Sequence, residues 1–237
     1  MSTSIYPAGC RLNCFSQAYC EIAMEAYYKA IKSAEKLKEL GYSVIGTDEY
    51  YANMEKNVVI TIVFSAMCIE SFFNDYAAAC LGDSEFYDNF DKLSELSKFE
   101  LIAKFILKTT IDKEKSYYSN LKFLIKKRNS YVHNKSYKYK FDSTLNYEDL
   151  AFFTDEGPEE ELILDKKIIN QELKDAVISL KAIRDIAIFF DEHDSSAYAM
   201  SRTFGTSCFS VESEYKSNYI NEVFSRLEIK RNIQKSK

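Results

Sequence analysis

The chain has 237 residues, 46% of them hydrophobic, 28% charged and 15% aromatic, with six glycines, two prolines and a net charge of −5. So much apolar content excludes a disordered or collagen-like chain, and so little Gly and Pro argues against a β-sandwich, which needs a turn every 8–12 residues or so. Neither GxGxxG nor GxxxxGK[ST] occurs, so a Gly-rich phosphate loop is not expected. What remains is a helical domain large enough to bury a core.

The start, MSTSIYPAGC, has neither a basic nor an apolar region of the kind a signal peptide needs. Residues 1–13 read as an N-terminal arm. A first helix is expected from about Cys14 to Leu40, stopped by Gly41, with Ile22, Ala26, Ala30, Ala34 and Leu37 along one stripe. A second opens at Thr47 as N-cap, with Asp48 and Glu49 suiting the positive helix start, and runs to Leu81 before Gly82. Its stripe of Val59, Ile62, Val63, Ala66, Ile69, Phe73, Ala77 and Cys80 marks it as the central helix. The apolar run at 58–69 is about half of the ~20 residues a membrane crossing needs, so it reads as a core helix in a cytoplasmic, non-membrane protein.

A short helical piece from about Asp83 precedes a third helix, which Ser97 and Glu100 open as a capping box and which continues through Leu101, Phe105 and Ile106. The fourth helix covers about Lys113 to Asn134, and an irregular loop or small hairpin follows at 136–165. A fifth, about 166–192, carries Ile169, Leu173, Val177, Leu180, Ile183, Ile186 and Phe190. Residues 14–193 thus form the bundle, and 194–237 a linker with a C-terminal extra helix at 211–233. The six cysteines include Cys10, Cys14 and Cys20, whose spacing lacks the CxxC pairs and histidine of a zinc site, so neither metal nor cofactor is expected.

The fourth helix and its exit differ from the rest. Between 113 and 140 stand nine Lys/Arg and one acid, Glu114, a charge of +8 against −13 for the remainder. Such a segment is a local anion-binding field. Lys122, Lys126, Lys127, Lys135 and Lys138, with Tyr131 and Tyr137, are the candidate contacts to an RNA backbone and its unpaired bases; Tyr117, Tyr118, Phe123 and Tyr139 are interleaved with them. The plainer reading is a solvated basic face edged by packed tyrosines.

Within it lies Arg128-Asn129-Ser130-Tyr131-Val132-His133. Periodicity places Leu121, Leu124, Ile125, Arg128 and Val132 on one face, and Asn129 and His133 on a neighbouring one. An Arg on an apolar face must find an anion. Glu70, which interrupts the apolar stripe of the second helix, is the expected partner, with Asn74 one turn further on. The second histidine, His193, sits among acids and reads as a surface residue.

The run LKFLIKKRNSYVHNKS resembles the signature of HEPN domains, an Arg followed after four to six residues by His, with a polar residue next to the Arg. IESFFNDYA at 69–77 and DKLSELSKFELIAKF at 91–105 are similar to the preceding helices of bacterial HEPN-like proteins, in the same order. The resemblance covers about 14–193 and leaves the tail out. It implies an all-α, HEPN-like antiparallel helix bundle that forms a homodimer with two motifs face to face, in many relatives a metal-independent endoribonuclease of toxin–antitoxin or phage-defence systems. On that resemblance His133 is the general acid/base, Arg128 holds the phosphate oxygens, Asn129 orients the histidine or bonds a phosphate oxygen, and cleavage leaves a 2′,3′-cyclic phosphate. Imidazole titrates ordinarily near pH ~6.5, which suits proton transfer at neutral pH, and a guanidinium binds oxyanions bidentately. An antitoxin or sensor protein is the further partner implied. One branch of the family carries a modified Tyr two residues after the His; here that position is Lys135. Two other readings stay open: a non-catalytic interaction or dimerisation module, and nucleotide binding without cleavage.

Overall fold

The 3.6-residue apolar period is realised as helix throughout the computed structural model, which describes residues 15–42, 47–133 and 166–194. Six helices follow in order: α1 (Ser16–Glu39), α2 (Asp48–Leu81), α3 (Asp83–Asn89), α4 (Glu95–Leu101, continued as a π-helical turn over Ile102–Ile106), α5 (Ser116–Val132) and α6 (Lys166–His193). No strand occurs among the described residues, and the chain is an all-α bundle. The arm at 1–13, the stretch 136–165 with Tyr137 and Lys138, Lys135 before it, and the tail from 195 on lie outside the described residues.

α1 ends where Gly41 allows it. Gly41 takes φ +71°, its N–H donates to the Lys38 carbonyl (3.2 Å) and the Tyr42 N–H to the Leu37 carbonyl (2.9 Å), a Schellman closure. Gly82, at φ +89°, breaks α2 from α3. The stripe of α1 is rotated from the expected one. Ile22 is exposed, while Cys20, Ala23, Met24, Tyr27 and Ile31 are buried with Ala26, Ala30 and Leu37, because α2 meets α1 on the side that carries the larger side chains. Tyr19, near the start of α1, meets Phe64 in the middle of α2 (5.7 Å between rings), so the two helices run antiparallel.

α2 is the axis of the bundle and packs against every other helix. By length and composition it is apolar enough to cross a membrane; here Val58, Ile62, Ile69, Phe72, Phe73 and Ala77 are buried in the core. α6 runs parallel to it, since Phe190 and Asp194 meet Phe72 and Tyr76, and α5 runs antiparallel to α6, with Tyr117 on Phe189 and Lys127 on Asp175. Cys20 and Cys68 are buried and Cys80 partly buried, and burial with the nearby Asp194 carboxylate pushes the Cys80 thiol up to about 11.

The start of α4 corrects the expected capping box. Ser94, not Ser97, is the N-cap: its Oγ accepts the Ser97 N–H at 3.2 Å. Glu100 instead holds Lys113 (2.7 Å) and accepts from the Tyr118 hydroxyl (2.9 Å), and these bonds keep its carboxyl below the usual range. The wider π-helical turn sends Ile102 and Ala103 inward and leaves Phe105 half exposed.

Candidate functional site

Arg128 sits one helical turn after buried Leu124, on the inward side of α5. Its Nη2 donates to Glu70 Oε2 of α2 and to Glu95 Oε1 of α4, both at 3.0 Å, and its Nη1 donates to Asn129 Oδ1 at 3.0 Å. The pairing with Glu70 is the one periodicity predicts. Glu95 is an addition that sequence reasoning missed. It is also the drier carboxylate, its side chain 15% exposed against 37% for Glu70 and 19% for Arg128. Three helices therefore converge on one guanidinium. Val132 shares the direction of Arg128 but is 54% exposed, because the last turn of α5 extends past the core.

His133 closes α5 as its C-cap, with its backbone N–H on the Asn129 carbonyl at 3.0 Å. The imidazole is exposed and makes no hydrogen bond among the described residues. Asn129, one turn earlier, is exposed on the same face, and its side-chain oxygen is already engaged by Arg128. Arg128, Asn129 and His133 thus form a polar end to α5. The other histidine is fastened down: His193 Nδ1 lies 2.8 Å from the Phe189 carbonyl, and its ring stacks on Phe189 at 4.4 Å.

The remaining predicted site residues divide by face. Lys122 and Lys126 are exposed, and with Asn129 and His133 they follow a 4-3-4 spacing along one outer face of α5. Lys127 points the other way. Its ammonium lies 2.8 Å from Asp175 Oδ2 of α6 and 5.5 Å from the centre of the Tyr131 ring, so both side chains belong to the contact between α5 and α6. Asn74 does not reach Arg128; its Oδ1 accepts from buried Lys98 at 2.7 Å. Tyr117 packs between Phe99 and Phe189, and Tyr118 is bonded to Glu100. The basic run is therefore less free than its composition suggests: Lys113, Lys127 and Arg128 are neutralised by acids from other helices, while Lys115, Lys122 and Lys126 face outward.

Around Lys127 the acids outnumber the cation. Burial, then the Glu55 charge and more weakly Asp175, raise the Glu172 carboxyl above its usual range against the opposing pull of Lys127, and Glu172 Oε2 is buried without a hydrogen bond. A carboxyl raised by folding gives its full share of stability below the ordinary carboxylate range and loses it as pH rises through the raised value. Glu172→Gln is expected to raise the melting temperature at pH 7 by about 1–2 °C, roughly half a kcal/mol once solvent screening of this partly exposed side chain is counted. The gain vanishes near pH 4, where the native side chain is protonated; circular-dichroism melts at the two pH values check it.

No family model matches the chain, and neither does any curated protein or solved structure. Among the described residues no group of three or more His, Cys, Asp or Glu side chains is arranged to hold a metal ion.

Proposed function

We propose that the chain is a cytoplasmic, metal-independent endoribonuclease of the HEPN type that works as a homodimer, in the role of a toxin or defence effector. The observation that carries this reading is the polar end of α5, where Asn129 is bonded to Arg128 at 3.0 Å and the exposed His133 stands one turn beyond. The chemistry asks little more of the protein, because RNA supplies its own nucleophile. One imidazole takes the proton of the 2′-hydroxyl as its oxygen attacks phosphorus, and a second, protonated imidazole gives a proton to the departing 5′-oxygen. A cyclic phosphate and a free 5′-hydroxyl result. On this reading the two imidazoles are the His133 of each copy, as the resemblance implies; His193, stacked on Phe189, is not used. The guanidinium of Arg128 stabilises charge developing on the phosphate oxygens, and Lys122 and Lys126 lead the strand to it.

The test uses wild-type and His133→Ala protein with labelled single-stranded RNA and tRNA in EDTA. Wild type is expected to leave cyclic-phosphate ends, and His133→Ala to cleave at least ~100-fold more slowly, the usual worth of a general acid/base. The melting temperature should be unchanged, since the imidazole is exposed. The second reading, an interaction module without catalysis, is favoured by the two carboxylates already on Arg128. It predicts no cleavage by either protein.

A further inference from the structure

The donors of a guanidinium fix what Arg128 can accept. A guanidinium offers an oxyanion two paired edges, Nε with Nη2 and Nη1 with Nη2. Both edges use Nη2. In this structure the two Nη2 hydrogens go to Glu70 and Glu95. Neither edge is therefore open, and a phosphate can be held bidentately only if one carboxylate leaves. The local charge points the same way, because two carboxylates around one guanidinium sum to −1 and repel an arriving anion.

The two acids are not equally able to leave. Glu70 has the more exposed side chain, but its backbone lies well inside α2, a 34-residue helix that packs against every other helix described. Glu95 is the first residue of α4, which has seven α-helical residues and follows the turn at Phe90–Ser94, capped by the Ser94 hydroxyl. A change of rotamer or a small shift of that turn withdraws its carboxylate without breaking α2 or α5.

We infer that Glu95 is a latch on the anion site: it occupies the guanidinium edge a phosphate would take, and its withdrawal opens Arg128 to phosphate while Glu70 keeps the side chain in place. This deepens the proposed function and rests on its assignment of Arg128 to phosphate. The ligand is a phosphate or polyphosphate oxyanion, whether in an RNA backbone or free.

The probe is inorganic pyrophosphate, measured by calorimetry on the full chain, with RNA cleavage followed in parallel. Wild type is expected to bind weakly. Glu95→Gln, which removes the charge at nearly constant shape, should bind about tenfold tighter, the scale of one charge-assisted hydrogen bond no longer competed for. Glu95→Ala should repeat the gain if the glutamine variant fails to fold, and Glu95→Gln combined with Arg128→Met should lose it. Glu95 variants binding no tighter than wild type, or a gain that survives without Arg128, would overturn the latch. Tighter pyrophosphate binding with no RNA cut by any variant refutes the ribonuclease and leaves the latch standing. Cleavage by wild type with no anion gain in either Glu95 variant does the reverse.

Discussion

Replacing Phe190 with alanine is expected to remove about 4 kcal/mol of stability, the middle of the range for deleting a buried ring. Phe190 is fully buried at the meeting point of three elements. Its ring lies 4.7 Å from Phe72, 5.0 Å from Tyr76, 6.0 Å from Phe73 and 6.4 Å from Phe99, so it touches α2 and α4 from α6. Phe73 and Phe99 stack with an interplanar angle of 4° and leave little room for the cluster to close over a void. Phe190→Leu refills most of the volume and is expected to cost only about 1–1.5 kcal/mol. Denaturant unfolding of both variants measures the pair, and a loss below about 1.5 kcal/mol for alanine would show that the rings do collapse. Folded domains are stable by only about 5–15 kcal/mol, so Phe190→Ala also samples the unfolded chain at moderate temperature. The consequence reaches the site, because Phe99 belongs to the same short helix as Glu95. Loosening that cluster frees α4 and with it one of the two carboxylates on Arg128.

Lys127→Met is expected to cost about 3 kcal/mol, although lysine is among the residues most often found at surfaces. The reason lies in Asp175. Its carboxylate, 4% exposed, receives Lys127 at 2.8 Å on one oxygen and Gln171 at 2.7 Å on the other. Removing the ammonium strands the carboxylate at the joint of α5 and α6, with Glu172 nearby to repel it. Asp175→Asn in the same background removes the stranded charge, and the double variant should recover about 2 kcal/mol of the loss. A double-mutant cycle by urea unfolding reads this coupling directly. Additive losses would mean that the ammonium and the Asp175 carboxylate are not coupled. Since Lys127 adjoins Arg128, the same contact sets the rotation of α5 and thereby which of its residues face outward.

Much of the scaffold is legible in the chain because its signals are local. Glycine positions closed α1 and α2, and the spacing of apolar residues picked out α2 as the central helix and α6 in full. The inward direction of Arg128 followed from its distance to Leu121 and Leu124. Its pairing with Glu70 followed from a lone carboxylate interrupting an apolar stripe. Where two local signals competed, the expectation slipped. Both Ser94 and Ser97 are capping residues, and the choice between them depends on which turn can pack Phe99 into the core. The stripe of α1 moved because Ile22 and Met24 are both apolar, and only the position of α2 decides which is covered.

Glu95 had no comparable signal in its own segment. A guanidinium with five donors takes more than one acceptor when it is drawn into a fold, but nothing in Asp91-Lys92-Leu93-Ser94-Glu95 says that this residue supplies one. The same holds for Asp175, which sits within a helix among residues of the opposite face pattern.

By itself the sequence determined that this chain forms helices, where most of them begin and end, and that one basic helix carries Arg128, Asn129 and His133 at its end. Those properties depend on residues within a few turns of one another, through periodicity, caps and propensity. Tertiary structure alone decided which of the cations are free and which are spent. Lys113 meets Glu100, Lys127 meets Asp175 and Arg128 meets Glu70 and Glu95, while Lys122 and Lys126 remain outward. Charge counted along a chain ignores distance in space, and the energy of an ion depends on what folding brings within a few ångströms of it.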